Sequence, residues 1–408
     1  MLPQPYSTFP LFSGKRAHIG LTGSVAAYKV LDLLRLFQQS SLDVGCTFTR
    51  AAGSFIGPLS ASGLGADPVY DASSYQPLDN PFAHLTGHQK IDLFLVAPAS
   101  ANILAKAASG VADDLLSTQI LSYPGSVVFA PAMNPDMWNN SATQRNADLL
   151  ARYGHKLILP EQGSVACGQE GQGRLPSLLQ LYYLSLKELV DQDLRGQKVL
   201  VTAGPTREYF DLVRYWSSPS SGKMGLYLAL ALWLRGAQIN FVHGPMDSLI
   251  AFPDFYLHPV TSASEMYQCC QDLWPESHLG IFSAAVSDFA PEACPDLKFK
   301  KSGHSHLNLQ FKQNRDILSK LSLNHKKVGQ RIVGFAAEAD NLENHAYNKL
   351  QAKDMDLIVA NLVSSEKSPF NSDYNQVLIL DRMGNRHHLP RMCKSELAWR
   401  IADWISDL

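Results

Sequence analysis

Cysteine is scarce in this 408-residue chain: there are six (Cys46, Cys167, Cys269, Cys270, Cys294, Cys393). None forms a C-x-x-C pair or falls at the Cys/His spacing of a zinc site, which excludes a disulfide framework and a structural zinc, and suits reduced thiols in a cytoplasmic protein. Long apolar runs are missing too. The richest, LYLALALWL at 226–234, falls well short of the ~20 residues that a membrane span needs. The N-terminus carries its first charges after its apolar residues, so it lacks a secretory n-region. Neither sign of charge dominates: 35 basic against 37 acidic residues give a net charge of −2. That balance excludes a global attraction to nucleic acid or to an anionic membrane and leaves only local basic patches. There is no low-complexity tract and no short-period repeat. The motifs G-x-G-x-x-G and the Walker loop are also absent.

What is present is enough apolar residue, 46% against 18% charged, to build sizeable cores. At ~150 residues per domain the length predicts two or three domains, and two fit best. The segment AHIGLTG reads as a strand ending at Gly23. After it, Val30, Leu33, Leu34 and Phe37 fall on one helical face, with Ser24 as the N-cap. Strands follow at LDVGCTFT, DLFLVAPAS and GSVVFAPAMN, with a helix over 101–121. Near residue 190 the pattern restarts: strand KVLVTAGPTRE, helix 224–235 stopped by Gly236, strands QINFVHGP, GIFSAAVSD, RIVGFAAE and DLIVANLV, and antiparallel strands near 376–390. Near-continuous apolar strands alternating with helices predict α/β domains with parallel sheets covered on both faces. The expectation is two doubly wound, Rossmann-like domains in tandem, residues 1–190 and 191–408.

Ligands of open parallel sheets bind beyond the carboxyl ends of the strands. Here those loops are small and polar: TGS (22–24), APASAN (97–102) and PAMN (131–134). Each alone suits strand-end packing; three in one domain favour a phosphate-bearing ligand. His84 precedes a strand, and as a lone histidine it is equally at home as a structural residue. Cys167 lies in the glycine-rich ACGQEGQGRL, which could close over a ligand as a lid with Arg174 or could be a plain surface loop. In the second half Ser220, Ser221, Gly222 and Lys223 open an apolar helix, as a phosphate cradle or simply as a capped helix start. Lys298 and Lys300 share a face if LKFKKS is a strand. Asp288 could bind a ribose or a metal-bridged phosphate, or cap a turn.

Taken in order, GSVAAYK, HL…DLFLVAPASAN, PAMNPDMW, ACGQEGQGRL, TAGPTRE…DLVRY, SSGKMG, AAVSD, KFKK, GFAAE and DLIVAN resemble the bacterial bifunctional phosphopantothenoylcysteine decarboxylase/phosphopantothenate–cysteine ligase family of coenzyme A biosynthesis. The likeness spans roughly residues 15–400. It implies an FMN-dependent decarboxylase in the first domain, with His84, Asn134 and Cys167 as catalytic residues. Asn134 would bind the substrate carboxylate and Cys167 would donate a proton to an enethiolate. Gly23, Ser24, Thr49, Ser100 and Asn102 would hold the flavin. The second domain would join 4′-phosphopantothenate to cysteine through an acyl-cytidylate. CTP would meet Phe282, Ser283, Ala284, Asp288, Lys298, Asn314, Arg315, Asp316, Ile317, Phe335, Lys349 and Lys353, with Mg2+ sharing its charge. Substrate contacts would include Arg174, Arg214, Ser221, Gly222 and Lys223. The resemblance further implies a homo-oligomer of trimeric decarboxylase and dimeric ligase units, with no nucleic-acid or membrane partner. The chain departs from the pattern at Ser218, where family members usually carry Asn, and also at Gln169, Leu175 and Leu362. Two alternatives stay open: a flavin- and nucleotide-binding regulatory protein whose ligase half is impaired, and a decarboxylase of peptidyl cysteine with an accessory nucleotide domain.

Overall fold

The apolar segment after Lys15 forms the first strand of a parallel sheet. The computed structural model describes residues 8–72, 82–88, 91–246, 249, 252–292, 298–299, 306–338, 340–362 and 372–408. The chain divides into two units, Met1–Val190 and Asp191–Leu408.

The first unit runs β1 (Arg16–Leu21), α1 (Ala27–Gln39), β2 (Asp43–Phe48), α2 (Pro58–Gly63), β3 (Val69–Asp71), β4 (Leu93–Ala99), α3 (Ala101–Ser109), α4 (Leu115–Ser122), β5 (Val127–Pro131), α5 (Pro135–Asn139), α6 (Ser141–Arg152), β6 (Lys156–Leu157), β7 (Glu161–Ser164), β8 (Glu170–Arg174) and α7 (Leu178–Lys187). Strands β1 to β6 form one parallel sheet in the order β3-β2-β1-β4-β5-β6. The apolar periodicity of α1 holds: Val30, Leu33, Leu34 and Phe37 are all buried. At about 1.5–3 kcal/mol for each such side chain, packing drives this helix more than propensity does.

Two local expectations are corrected. Ser24 does not cap α1; an extra turn intervenes, in which Ser24 O accepts from Ala27 N (3.0 Å), and the N-cap is Ala26, with no side-chain hydrogen bond. The single helix over 101–121 is two helices. Gly110 ends α3 with φ of 68°, and Asp114 opens α4 by accepting from Ser117 N at 2.8 Å. A left-handed glycine followed by a capping box stops one helix and starts another.

The second unit runs β9 (Lys198–Ala203), β10 (Arg207–Tyr209), β11 (Tyr215–Ser217), α8 (Lys223–Leu234), β12 (Gln238–His243), β13 (Phe255–Pro259), α9 (Ala263–Leu273), β14 (Leu279–Phe282), β15 (Phe289–Pro291), β16 (Phe311–Gln313), α10 (Ile317–His325), β17 (Arg331–Glu338), α11 (Leu342–Ala352), β18 (Leu357–Leu362), β19 (Tyr374–Asp381), β20 (Arg386–Cys393) and α12 (Lys394–Ser406). Its main sheet has the order β13-β12-β9-β14-β17-β18-β19-β20. Pairing is parallel up to β18 and antiparallel beyond it. The apolar run 226–234 is α8, buried all round and packed against β9, β12 and α12. A helix apolar on every face suits such a sandwiched position. The expected strand through TAGPTRE breaks at Gly204 (φ 77°), and Arg207–Tyr209 pairs instead with Tyr215–Ser217. Lys298 lies outside any strand, and Lys300 and Lys301 fall outside the described residues.

Candidate active site

In each main sheet the connections reverse direction between two neighbouring strands, which opens a crevice at their carboxyl ends. In the first unit this point lies between β1 and β4. Thr22 ties the two loops together. Its hydroxyl donates to Pro98 O (2.6 Å) and accepts from Ser100 N (2.9 Å). Gly23 is required by proximity, because a Cβ there would lie 2.6 Å from Ala51 Cβ. Thr49 accepts from Ala52 N and Ser100 caps α3, while Asn102 is exposed on its first turn. Gly23, Ser24, Thr49, Ser100 and Asn102 thus all lie on loops or first helical turns at the carboxyl edge of one sheet. They offer hydroxyls, an amide and the uncapped N-terminus of α1, groups that suit a phosphate and the polar edge of a ring.

Asn134 and Cys167 meet at this edge. Asn134 caps α5: its Oδ1 accepts from Asp136 N at 2.8 Å. That bond commits the oxygen and turns the NH2 group outward. Nδ2 then donates to Cys167 Sγ at 3.3 Å and to Gln169 Oε1. The backbone N–H of Gln169, followed by the Asn134 amide, holds the exposed Cys167 thiol below its ordinary pKa. The glycine-rich segment is an antiparallel hairpin of β7 and β8. It lies so close to the loop after β5 that a Cβ on Gly173 would fall 2.3 Å from Met133 O. Gly173 O accepts from Met133 N (3.0 Å). Arg174 is committed to the base of the hairpin, paired with Glu161 at 2.6 Å.

His84 sits apart from this pair. It lies in the 3-10 turn Ala83–His88, packed against α4, and its carbonyl accepts from Ser122 Oγ at 2.6 Å. Among the described residues no hydrogen bond or ion pair joins its side chain to Asn134 or Cys167. Sequence reasoning missed what fixes that turn. Gln119 Nε2 donates to Ala83 O (2.9 Å), Thr47 Oγ1 donates to Gln119 Oε1 (2.7 Å), and His18 Nε2 lies 2.8 Å from Thr47 Oγ1. Because Thr47 spends its proton on Gln119, His18 must donate through Nε2. Burial, then the charge of Arg16, lowers the His18 pKa to about 4, so the ring is neutral near pH 7. Three polar side chains in apolar strands and an apolar helix were the available signal.

In the second unit the reversal lies between β9 and β14. Gly222, with φ of 69°, is the N-cap of α8 and provides no side-chain cap, so the first N–H groups of that helix stay available. Gly225 is needed because a Cβ there would lie 2.4 Å from Ser283 Oγ. Ser283 donates to Thr202 O (2.7 Å), and Ala284 N donates to Thr202 Oγ1 (3.3 Å). Asn314 bridges the next loop, Nδ2 to Ser287 O and N to Asp288 O, both at 2.8 Å. The guanidinium of Arg315 sits over the Tyr267 ring, 5.1 Å from its centroid. Phe335 is half-buried in β17.

Two of the expected nucleotide contacts have side chains in the core: Phe282 packs beside Trp274, and Ile317 is buried in the same cluster, so a contact at either position would run through its backbone. The expected cations are also mostly occupied. Lys349 pairs with Glu338 (2.6 Å), Lys353 with Asp316 (2.7 Å) and Lys223 with Asp373 (2.5 Å), while Arg214 lies 3.6 Å from Asp211. Lys298 is exposed and makes no ion pair among the described residues. Asp211 is fully buried, and sequence reasoning passed it over. Burial pushes its carboxyl up, but the N–H groups of Val213, Arg214 and Phe299, with the Arg214 charge, outweigh this and hold it below the usual range.

Residues 12–189 match the family described as Flavoprotein, and residues 194–408 match the DNA/pantothenate metabolism flavoprotein C-terminal domain. The coenzyme A biosynthesis bifunctional protein CoaBC of Bacillus subtilis (strain 168) is 35% identical over 98% of each chain. That of Escherichia coli (strain K12) is 36% identical over 96% of this chain and 97% of its own. The protein of the same name from Vibrio vulnificus (strain YJ016) is 36% identical over 97% and 98%. The chain belongs to this family of bifunctional coenzyme A biosynthesis proteins. It is therefore a bifunctional enzyme, with a decarboxylase half in the flavoprotein domain and a ligase half in the C-terminal domain. Among the described residues no helix is long and apolar enough to cross a membrane.

Proposed function

We propose that this cytoplasmic enzyme makes 4′-phosphopantetheine in two steps. The second unit, residues 191–408, activates 4′-phosphopantothenate with CTP and couples it to the amine of cysteine. The first, residues 1–190, decarboxylates the product with FMN. The observation that carries the reading is the Asn134–Cys167 pair over a crevice of hydroxyl and helix-terminus donors.

FMN, when bound by Gly23, Ser24, Thr49, Ser100 and Asn102, supplies the hydride chemistry. The chain's own residues do the rest. Asn134, its oxygen committed to α5, presents two N–H donors to a carboxylate. Cys167, on a hairpin that can close over the crevice, holds a proton at Sγ for the carbon that must be reprotonated. His84 orients and deprotonates the substrate from the turn that His18, Thr47 and Gln119 anchor. In the ligase half, the N–H groups at the start of α8 and Lys298 receive the anionic groups, and Lys349 and Lys353 exchange their carboxylate partners for phosphate as charge develops. Mg2+ would arrive with the nucleotide and share its charge, as it usually binds through phosphates and few protein carboxylates. The exposed side chains of Leu212, Val213, Trp216 and Phe289 offer an apolar face on which two ligase units would pair, beside trimeric decarboxylase units.

Purified chain should be yellow, and with phosphopantothenate, cysteine and CTP it should release pyrophosphate and then CO2. A colourless protein that FMN does not reconstitute overturns the decarboxylase half. Pyrophosphate release that continues over many turnovers without cysteine overturns the ligase half, since activation alone yields at most one pyrophosphate per site, and no release at all favours the impaired-ligase alternative at Ser218.

A further inference from the structure

Asp211 is fully buried. It lies between β10 and β11 and spends both oxygens on backbone N–H groups. Oδ1 accepts from Val213 N (2.7 Å) and from Arg214 N (2.6 Å), closing the turn on which Arg214 stands. Oδ2 accepts from Phe299 N (3.2 Å), the residue next to Lys298, and lies 3.6 Å from Arg214 Nη1. One carboxylate therefore joins two segments 88 positions apart in the sequence, each of which carries a cation.

We infer that Asp211 is a positioning residue of the ligase half: it sets Arg214, expected at the substrate, and the backbone of Lys298, expected at the nucleotide, in one frame, so that CTP is held in register with the group it activates. This rests on the assignment of nucleotide binding to the second unit. The two oxygens do separable work. A side-chain amide at 211 keeps a carbonyl oxygen for Val213 and Arg214, so the turn survives. Its NH2 group would then face the Phe299 N–H, donor against donor, and the tie to Lys298 is lost.

Asp211→Asn is thus the informative variant, tested in the full chain. CTP binding is measured by equilibrium dialysis, and the pyrophosphate-release kinetics are resolved into KM and kcat. The expected result is a KM and a Kd for CTP raised by about tenfold, the loss of one hydrogen bond to a charged group. Within experimental error kcat should stay unchanged, while the thermal midpoint falls by no more than the loss of one buried hydrogen bond accounts for. Phe299→Pro removes the donor from the other side and should give the same rise, and the double variant should be no worse than either single one. If Asp211 merely folds the turn, Asn rescues it fully, and wild-type CTP affinity in Asp211→Asn overturns the inference. Additive losses in the double variant overturn it as well. Should Asp211→Asn fail to fold, Phe299→Pro alone decides by the same affinity criterion. Wild-type chain that binds no CTP overturns the nucleotide assignment itself and this inference with it.

Discussion

The amide nitrogen of Asn134 lies 3.3 Å from the sulfur of Cys167 because the other end of that amide is held by the backbone of Asp136. A helix cap thereby orients a group that serves the thiol. Capping fixes which atom of the amide faces the hairpin, and the hairpin brings the cysteine to that atom. The Gln169 side chain extends the link, donating to Asp136 Oδ2 at 3.1 Å.

Asn134→Ala should therefore raise the pKa of Cys167, since it removes one of the two leading bonds that favour the thiolate. Alkylation of Cys167 by iodoacetamide, followed by peptide mapping across pH, should show its midpoint moved to higher pH. A midpoint that stays put would show that the Gln169 N–H acts alone.

Gly173→Ala should destabilise the first unit by about 1–3 kcal/mol, the usual cost of overpacking against atoms that cannot move aside. The obstacle is backbone, Met133 O at 2.3 Å from the added carbon. Urea unfolding should show the loss, and Gly53→Ala, which meets nothing within 4 Å, serves as the control.

Gln119→Leu should remove the acceptor of the Thr47 hydroxyl and a donor to Ala83 O, both buried. At about 1–3 kcal/mol for each orphaned group, the unit weakens, and the turn carrying His84 loses an anchor. CO2 release should fall further than flavin binding does. An equal fall in both would assign the effect to general unfolding.

His18 should make stability depend on pH. Its folded pKa, about 4, lies below the ordinary 6.5, so the unfolded chain binds the proton more readily. This contribution is whole above about pH 6.5, shrinks as the pH falls and is gone below about pH 4. The slope is about 1.4 kcal/mol per pH unit, and the total is on the order of 3 kcal/mol. Urea midpoints for wild type and His18→Asn should differ in slope between pH 6.5 and pH 4.5 and run parallel above pH 7.

Lys298→Gln should raise the CTP requirement of pyrophosphate release about tenfold or more, as expected when a charge-assisted contact is lost, and leave CO2 release unaltered. Equal loss of both activities would point to misfolding of the chain.

Much of this protein was legible without coordinates. The spacing of the cysteines gave no disulfide or zinc pattern, no apolar run was long enough for a membrane-spanning helix, and the alternating apolar runs revealed two parallel-sheet units. Order and wording of short motifs carried the family, because PAMN, ACGQEGQGRL and SSGKMG are each constrained by close backbone approach: Gly173 against Met133 O and Gly225 against Ser283 are visible as glycines in a string. The tertiary structure decided what depends on distance. It split the helix over 101–121, placed the side chains of Phe282 and Ile317 in the core, and gave Lys223 and Lys353 carboxylate partners far from them in sequence. It also brought His18, Thr47 and Gln119 into one buried chain and placed Asp211 between two cation-bearing segments. Periodicity and motif spacing report local geometry. Which buried polar groups satisfy one another is settled only when strands distant in sequence become neighbours, because leaving a polar group unpaired in a core is costly.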